Sequence, residues 1–276
     1  MIKDFRLVIC DIDSTLITSK RILTERAKEV IRRLHDHGVY FGIASGRSID
    51  QQLHKQARDW GFDFDFEVLI GMNGSELWDG VHQKRYDYYK LKRAWIKEIL
   101  ELMAPFNLNP FMYVGDKMMC LRIDEATERS SKKNRTDLLV VDDISEFYAE
   151  ENAKIMFRMP EELMPQVVEY VSKHPSPNFK AFKTQTTMLE FTDRRVSKAV
   201  ALKQYCEMNQ LPLGEVIAFG DMSNDNEMLE CSGWGVCMAN GSEDTKAIAD
   251  AITENTNDED GFADYMEKHF LLPRGW

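Results

Sequence analysis

Apolar and polar positions along the chain alternate between two rhythms, one of strands followed by amphipathic helices and one of paired strands. Leu7-Val8-Ile9-Cys10 is a short apolar run that stops at an acidic cluster, as a buried parallel strand does. A helical pattern follows from Thr24 to His37. Thr24 suits the N-cap, Ala27, Val30, Ile31 and Leu34 share a face, and Gly38 supplies the stop. Val39 to Ala44 reads as a second strand ending at Ser45-Gly46-Arg47. A second helix carries Ile49, Leu53, Ala57 and Trp60 on one face, and Val68 to Ile70 reads as a third strand ending near Asn73-Gly74. Strands alternating with helices imply right-handed crossovers and a parallel sheet.

The rhythm changes after about residue 85. A helical pattern from Lys90 to Met103 precedes two strands within Phe111 to Ile123, turning at Gly115-Asp116. Charged sequence from Glu125 to Asp137 reads as solvated surface. A strand from Lys154 to Phe157 leads to a helix opened by Pro160-Glu161-Glu162, then to strands near Phe179 to Lys183 and Met188 to Thr192. The first rhythm then returns. Ser197 caps a helix through Tyr205, Val216 to Phe219 runs into Gly220-Asp221, a helix starts at Asn224, and a strand covers Gly235 to Met238. The expected fold is therefore α/β, a doubly wound parallel-sheet core of residues 1–85 and 193–276. An α+β cap of residues 86–192 is inserted into it.

Composition narrows the function. The 276 residues carry 35 Lys+Arg against 46 Asp+Glu, a net charge of -11, so no basic stripe is present to track a nucleic-acid backbone. Five cysteines without a CxxC pair argue against a disulfide framework or a zinc site. Neither a leader nor a membrane-spanning run is apparent, and a cytoplasmic protein is expected.

Polar clusters gather where strands end or helices begin: Asp11-Ile12-Asp13-Ser14-Thr15, Ser45-Gly46-Arg47, Lys198, and Gly220-Asp221-Met222-Ser223-Asn224-Asp225. Ligands of open α/β sheets bind outside the carboxyl ends of the strands, so these segments are expected to meet. Asp11, Asp13, Asp221 and Asp225 would then crowd together, tolerable only beside Lys198 or a cation. An all-oxygen donor set suits magnesium.

In this order the four clusters resemble the Cof-type phosphatases of the haloacid dehalogenase-like superfamily. The likeness covers nearly the whole chain, including Asn73-Gly74 and the tail from Lys246 through Gly261. It implies an Mg2+-dependent phosphohydrolase acting on a small phosphorylated metabolite, with sugar phosphates the first expectation. Asp11 would be the nucleophile, Asp13 the general acid and base, and Lys198 the charge stabiliser. Thr15, Ser45, Gly46, Arg47 and Asn224 would contact phosphate or substrate. Asp11, the Asp13 carbonyl, Asp221 and Asp225 would hold the metal. Ser14 and Ala199 depart from the glycines usual at their positions, and Ser14 is expected to keep away from the most strained positive-φ conformations.

Plainer readings compete residue by residue. Ser45 could cap the next helix, Lys198 could lie on a helix surface, and Arg47 could simply make a salt bridge. His35 and His37 sit at a helix end and suit its last carbonyls better than a metal. Phe62, Phe64 and Phe66 read as core, and Asp258-Glu259-Asp260 as a solvated turn. Two rival functions remain: a phosphomutase or phosphotransferase on the same fold, and a silent sensor of a phosphometabolite.

Overall fold

A computed structural model describes residues 4–115, 117–134 and 136–276. Asp116 of the expected turn and residue 135 of the charged stretch lie outside them.

The chain opens with β1 (Leu7–Asp11), α1 (Glu25–Asp36), β2 (Tyr40–Ala44), α2 (Gln56–Asp59), β3 (Val68–Gly71), β4 (Glu76–Asp79) and β5 (Lys84–Asp87). It continues through α3 (Arg93–Met103), β6 (Pro110–Val114), β7 (Lys117–Cys120), α4 (Glu125–Asn134), β8 (Asp137–Val140), β9 (Lys154–Arg158), α5 (Met164–Ser172), β10 (Phe179–Gln185) and β11 (Met188–Asp193). It closes with α6 (Lys198–Met208), β12 (Val216–Gly220), α7 (Asn226–Cys231), β13 (Trp234–Cys237), α8 (Glu243–Ile248), β14 (Ala251–Ile252) and α9 (Gly261–Met266). Two compact units result, one of residues up to Tyr88 together with Ser197–Trp276, the other Tyr89–Val196.

The first unit holds an eight-stranded sheet ordered β14-β13-β12-β1-β2-β3-β4-β5. The six strands from β14 to β3 are parallel; β4 and β5 add antiparallel pairs at one edge. Alternation along β1 explains why both faces are covered. Val8 and Cys10 pack with Val30, Ile31 and Leu34 of α1 and with Phe262 and Met266 of α9. Leu7 and Ile9 pack with Ala201, Leu202 and Tyr205 of α6 and Met228 of α7 on the other side. A strand whose successive side chains feed two cores is fixed in register, because a one-residue slip would exchange its faces. Thr24 caps α1 as expected, its hydroxyl accepting from the Ala27 amide at 3.1 Å, and Gly38 leaves the helix at φ +71°.

Two elements of this unit depart from the sequence reading. The segment from Ile49 is not one helix: Ile49–Leu53 winds as a π-helix and α2 is a separate turn. Its apolar spacing survives, since Ile49, Leu53 and Ala57 are all buried. The β4–β5 hairpin was not anticipated, because Lys84-Arg85-Tyr86-Asp87 carries three charges in four residues. An edge strand tolerates them, and charge there discourages pairing with another chain.

The second unit is a six-stranded sheet ordered β10-β11-β9-β6-β7-β8, antiparallel except for β7 beside β8. Ile96, Ile99 and Met103 of α3 and Val167 of α5 form one core with Ile155, Phe157 and Phe191. The charged stretch expected to be solvated surface is the helix α4, with Thr127 and Ser130 turned inward. The helix expected to open at Pro160 begins at Met164, after a turn. No helix among the described residues is long and apolar enough to cross a membrane.

Candidate active site

Strands β12, β1 and β2 lie side by side and parallel, so their carboxyl ends share one edge. The chain leaves β1 toward β2 on one side and returns as β12 on the other, which makes this the point where strand order reverses and ligands bind. Asp11 ends β1, Ser45 follows β2, and Asp221 follows β12.

Lys198 enters from the first turn of α6. Ser197 caps that helix through the Val200 amide (3.3 Å). Gly74, at φ +109°, lets the helix start come close: a Cβ there would lie 2.1 Å from the Ser197 carbonyl oxygen. Lys198 is not a surface residue. It is 1% exposed, and its Nζ donates to Asp11 Oδ1 at 2.5 Å and to Asp225 Oδ1 at 2.6 Å. Burial alone would depress its pKa, but the two carboxylates raise it above the ordinary lysine value, so it stays charged.

Asp225 is tied down at both oxygens. Oδ2 accepts from the Asp221 and Met222 amides at 3.1 and 3.2 Å. Gly220 makes this fold-back possible, since a Cβ there would lie 2.5 Å from Asp225 Cβ. Asp221 Oδ1 accepts from the Thr15 hydroxyl at 2.9 Å, so Thr15 spends its proton on Asp221. Asp11, Asp221 and Asp225 present carboxylate oxygens that all lie within 4.8 Å of one another. Burial, ahead of the other charges, pushes Asp11 up to about 7 and Asp221 up to about 8. Three buried acids facing one lysine leave negative charge to be neutralised, and their all-oxygen chemistry fits a hard divalent cation.

Asp13 behaves differently. It is exposed, it is not one of the three clustered acids, and both its oxygens accept from Arg47 Nη2, at 2.7 and 2.8 Å. Arg47 is thus engaged in an ion pair. Ser45 is buried; its hydroxyl accepts from the Arg47 amide at 3.3 Å and caps no helix, since the next helical segment starts at Ile49 after Ser48. Gly46 follows it in the same loop. Asn224 donates to Asn73 Oδ1 at 3.4 Å, joining the Asp221 loop to the loop after β3. Asn73 is buried at φ +58°, and its amide donates to the Ser45 carbonyl at 3.0 Å. Its place beside Gly74 was its only signal in sequence.

Ser14 takes a φ of +64°, a value of the left-handed region that a Cβ makes costly by about 1–2 kcal/mol. A plain reading of the sequence changes. The acidic run is more than a solvated turn: Asp258 accepts from the Ser19 amide at 2.7 Å and Asp260 from the Thr24 hydroxyl at 2.5 Å. Other plain readings stand. His37 Nδ1 lies 2.7 Å from the Arg33 carbonyl, and Phe62 and Phe66 are core; His35 differs from its reading, stacking on Phe64 at 3.8 Å.

Known proteins resemble this chain over nearly its whole length. A family model described as haloacid dehalogenase-like hydrolase matches residues 8–266. The 5-amino-6-(5-phospho-D-ribitylamino)uracil phosphatase YitU of Bacillus subtilis is 27% identical, over 96% of this chain and 98% of its own. The pyridoxal phosphate phosphatase YbhA of Escherichia coli is 23% identical, over 96% and 99%. The crystal structure of a haloacid dehalogenase-like hydrolase from Bacteroides thetaiotaomicron superposes with a TM-score of 0.82 at 25% identity, covering 96% of this chain and all of that one. With its motifs in order across nearly its full length, the chain belongs to the haloacid dehalogenase-like hydrolases.

Proposed function

We propose that this protein is a magnesium-dependent phosphatase that hydrolyses small phosphate monoesters through an aspartyl-phosphate on Asp11. The observation that carries the reading is the buried lysine bridge: Lys198 holds one oxygen of Asp11 and is itself held by Asp225. A carboxylate oriented through Oδ1 keeps Oδ2 for attack on phosphorus. As the Asp11–phosphorus bond forms and the ester bond breaks, Asp13 gives its proton to the leaving oxygen. The same carboxylate then takes a proton from the water that attacks the phospho-aspartate, and phosphate leaves. Lys198 offsets the charge gathered on the transferring group. Arg47 keeps Asp13 from wandering between these two steps.

Magnesium would be held by Asp11, Asp221 and the Asp13 carbonyl, with Asp225 behind them. When bound it supplies positive charge against the phosphoryl oxygens. Thr15 fixes Asp221 for that task. Ser45, Gly46 and Asn224 would contact the phosphate.

The unit Tyr89–Val196 would act as a cap that selects the rest of the substrate. YitU and YbhA are named for phosphorylated small heterocyclic molecules. Phosphorylated heterocyclic metabolites therefore join sugar phosphates as the substrate class. The test is phosphate release from a panel of both, with magnesium and with chelator, beside Asp11→Asn. Magnesium-dependent release lost in the variant is expected. Phosphate passing to a second hydroxyl, with none freed to water, would favour a phosphotransferase instead.

A further inference from the structure

The loop after β1 carries Asp13 and Thr15, and it is held partly by its own bonds and partly from outside. Within it, the Leu16 and Ile17 amides both donate to the Ile12 carbonyl, and Ser14 sits in the left-handed region without being glycine. A residue in such a conformation persists only when its surroundings over-determine it. Two distant asparagines do so here. Asn240 Nδ2 donates to the Ser14 carbonyl at 2.8 Å, and its Oδ1 accepts from the Asn257 amide at 2.9 Å. Asn257 Nδ2 donates to the Ile17 carbonyl at 2.9 Å, three residues further along the same loop. Next to it, Asp258 takes the Ser19 amide.

The strap is anchored where the metal-facing acids are. The Ser242 amide donates to the Asp221 carbonyl at 2.8 Å, two residues beyond Asn240. Gly241 between them has no room for a side chain, since a Cβ would lie 2.5 Å from Cys237 Sγ and 3.0 Å from the Asp221 carbonyl oxygen. The stretch 240–242 therefore touches the backbone of Asp221 on one side and of Ser14 on the other, and Asn257, bonded to Asn240, holds Ile17. Asn240 is exposed and Asn257 half-buried, so neither fills the core. Their amides spend their donors on this one loop.

We propose that Asn240 and Asn257 are positioning residues for the phosphatase reaction, clamping the β1 loop so that the Asp13 carboxyl stays over the leaving oxygen. The inference rests on the acid role given to Asp13 above. Its force comes from the site of contact: one amide grips the carbonyl of the strained residue directly after Asp13.

An acid held in place matters most when the leaving group is poor, because a good one departs without the proton. The test compares kcat/KM for p-nitrophenyl phosphate and phenyl phosphate in the wild type, Asp13→Asn, Asn240→Ala and Asn257→Ala, each checked by thermal melting. Asp13→Asn should lose far more on phenyl phosphate than on the nitro ester. Both asparagine variants should show the same split, with a loss of about tenfold or more on phenyl phosphate and about threefold or less on the other. Adding Ser14→Gly, which removes the strain, should return much of the loss in Asn240→Ala. Equal losses on both esters in the asparagine variants, with the split present in Asp13→Asn, would overturn the clamp alone. Asp13→Asn with no split would bring down the acid role and the clamp with it.

Discussion

Lys198 is the residue on which the site turns, and its surroundings define what its loss would do. It lies between two buried carboxylates, and removing one partner of a buried pair leaves the other charge without compensation. Lys198→Met should therefore cost about 3–5 kcal/mol in urea unfolding at neutral pH. A loss well under 1 kcal/mol would mean that the bridge is not a structural element. Asp11→Asn points the other way. Burial opposes the Asp11 charge and raises its pKa to about 7, and Lys198 keeps Asp225 as a partner, so the neutral amide should leave melting unchanged or higher while turnover disappears. Lowered melting would contradict the electrostatic picture. Asp11, Asp13 and Asp221 were legible in sequence because acids after apolar strands need partners. What the sequence did not disclose was who satisfies whom. Thr15 turning to Asp221, and Arg47 turning to Asp13, are matters of rotamer and loop path, which no spacing encodes.

At the level of elements, the site depends on how close α6 comes to the loop after β3. Gly74→Ala combines a positive φ with a Cβ 2.1 Å from the Ser197 carbonyl oxygen, so the start of α6 must shift and Lys198 with it. Reduced stability together with reduced kcat is expected, measured by melting and phosphate release. Normal values for both would show the approach to be slack. Elements with a clear period were the readable ones: β1, α1, β2, β3 and β12 stand within a residue or two of their expected places, and α6 starts where expected and runs three residues longer. Those without a period were not. The hairpin β4–β5 hides behind its charges, α8 and α9 are six residues each, and α4 has a polar face broad enough to pass for surface. The acidic run at 258–260 misled for a related reason. Its residues are solvated on one side and hydrogen-bonded on the other, and composition reports only the first.

For the molecule as a whole, the crowded acids link proton, metal and folding. Asp11 and Asp221 rise from 3.8 to about 7 and about 8, so the folded chain holds more protons than the unfolded one across that range. Stability from these two groups is thus greatest below pH 4 and falls as pH rises toward about 8. A cation bound to the ionised carboxylates competes with those protons. The gain in melting temperature on adding magnesium should therefore be larger near about pH 8 than near about pH 6. A gain that shrinks with rising pH would contradict the placement of the metal among these acids.

The central claim is that Asp11 itself takes the phosphoryl group, and trapping that species tests it most directly. Enzyme mixed with an excess of a turned-over phosphate ester, quenched in acid during steady state and mapped by peptide mass spectrometry, should carry a phosphoryl adduct on Asp11. The Asp11→Asn protein should carry none. Turnover with an adduct on another residue, or an unmodified Asp11 peptide at every quench time, would contradict the account.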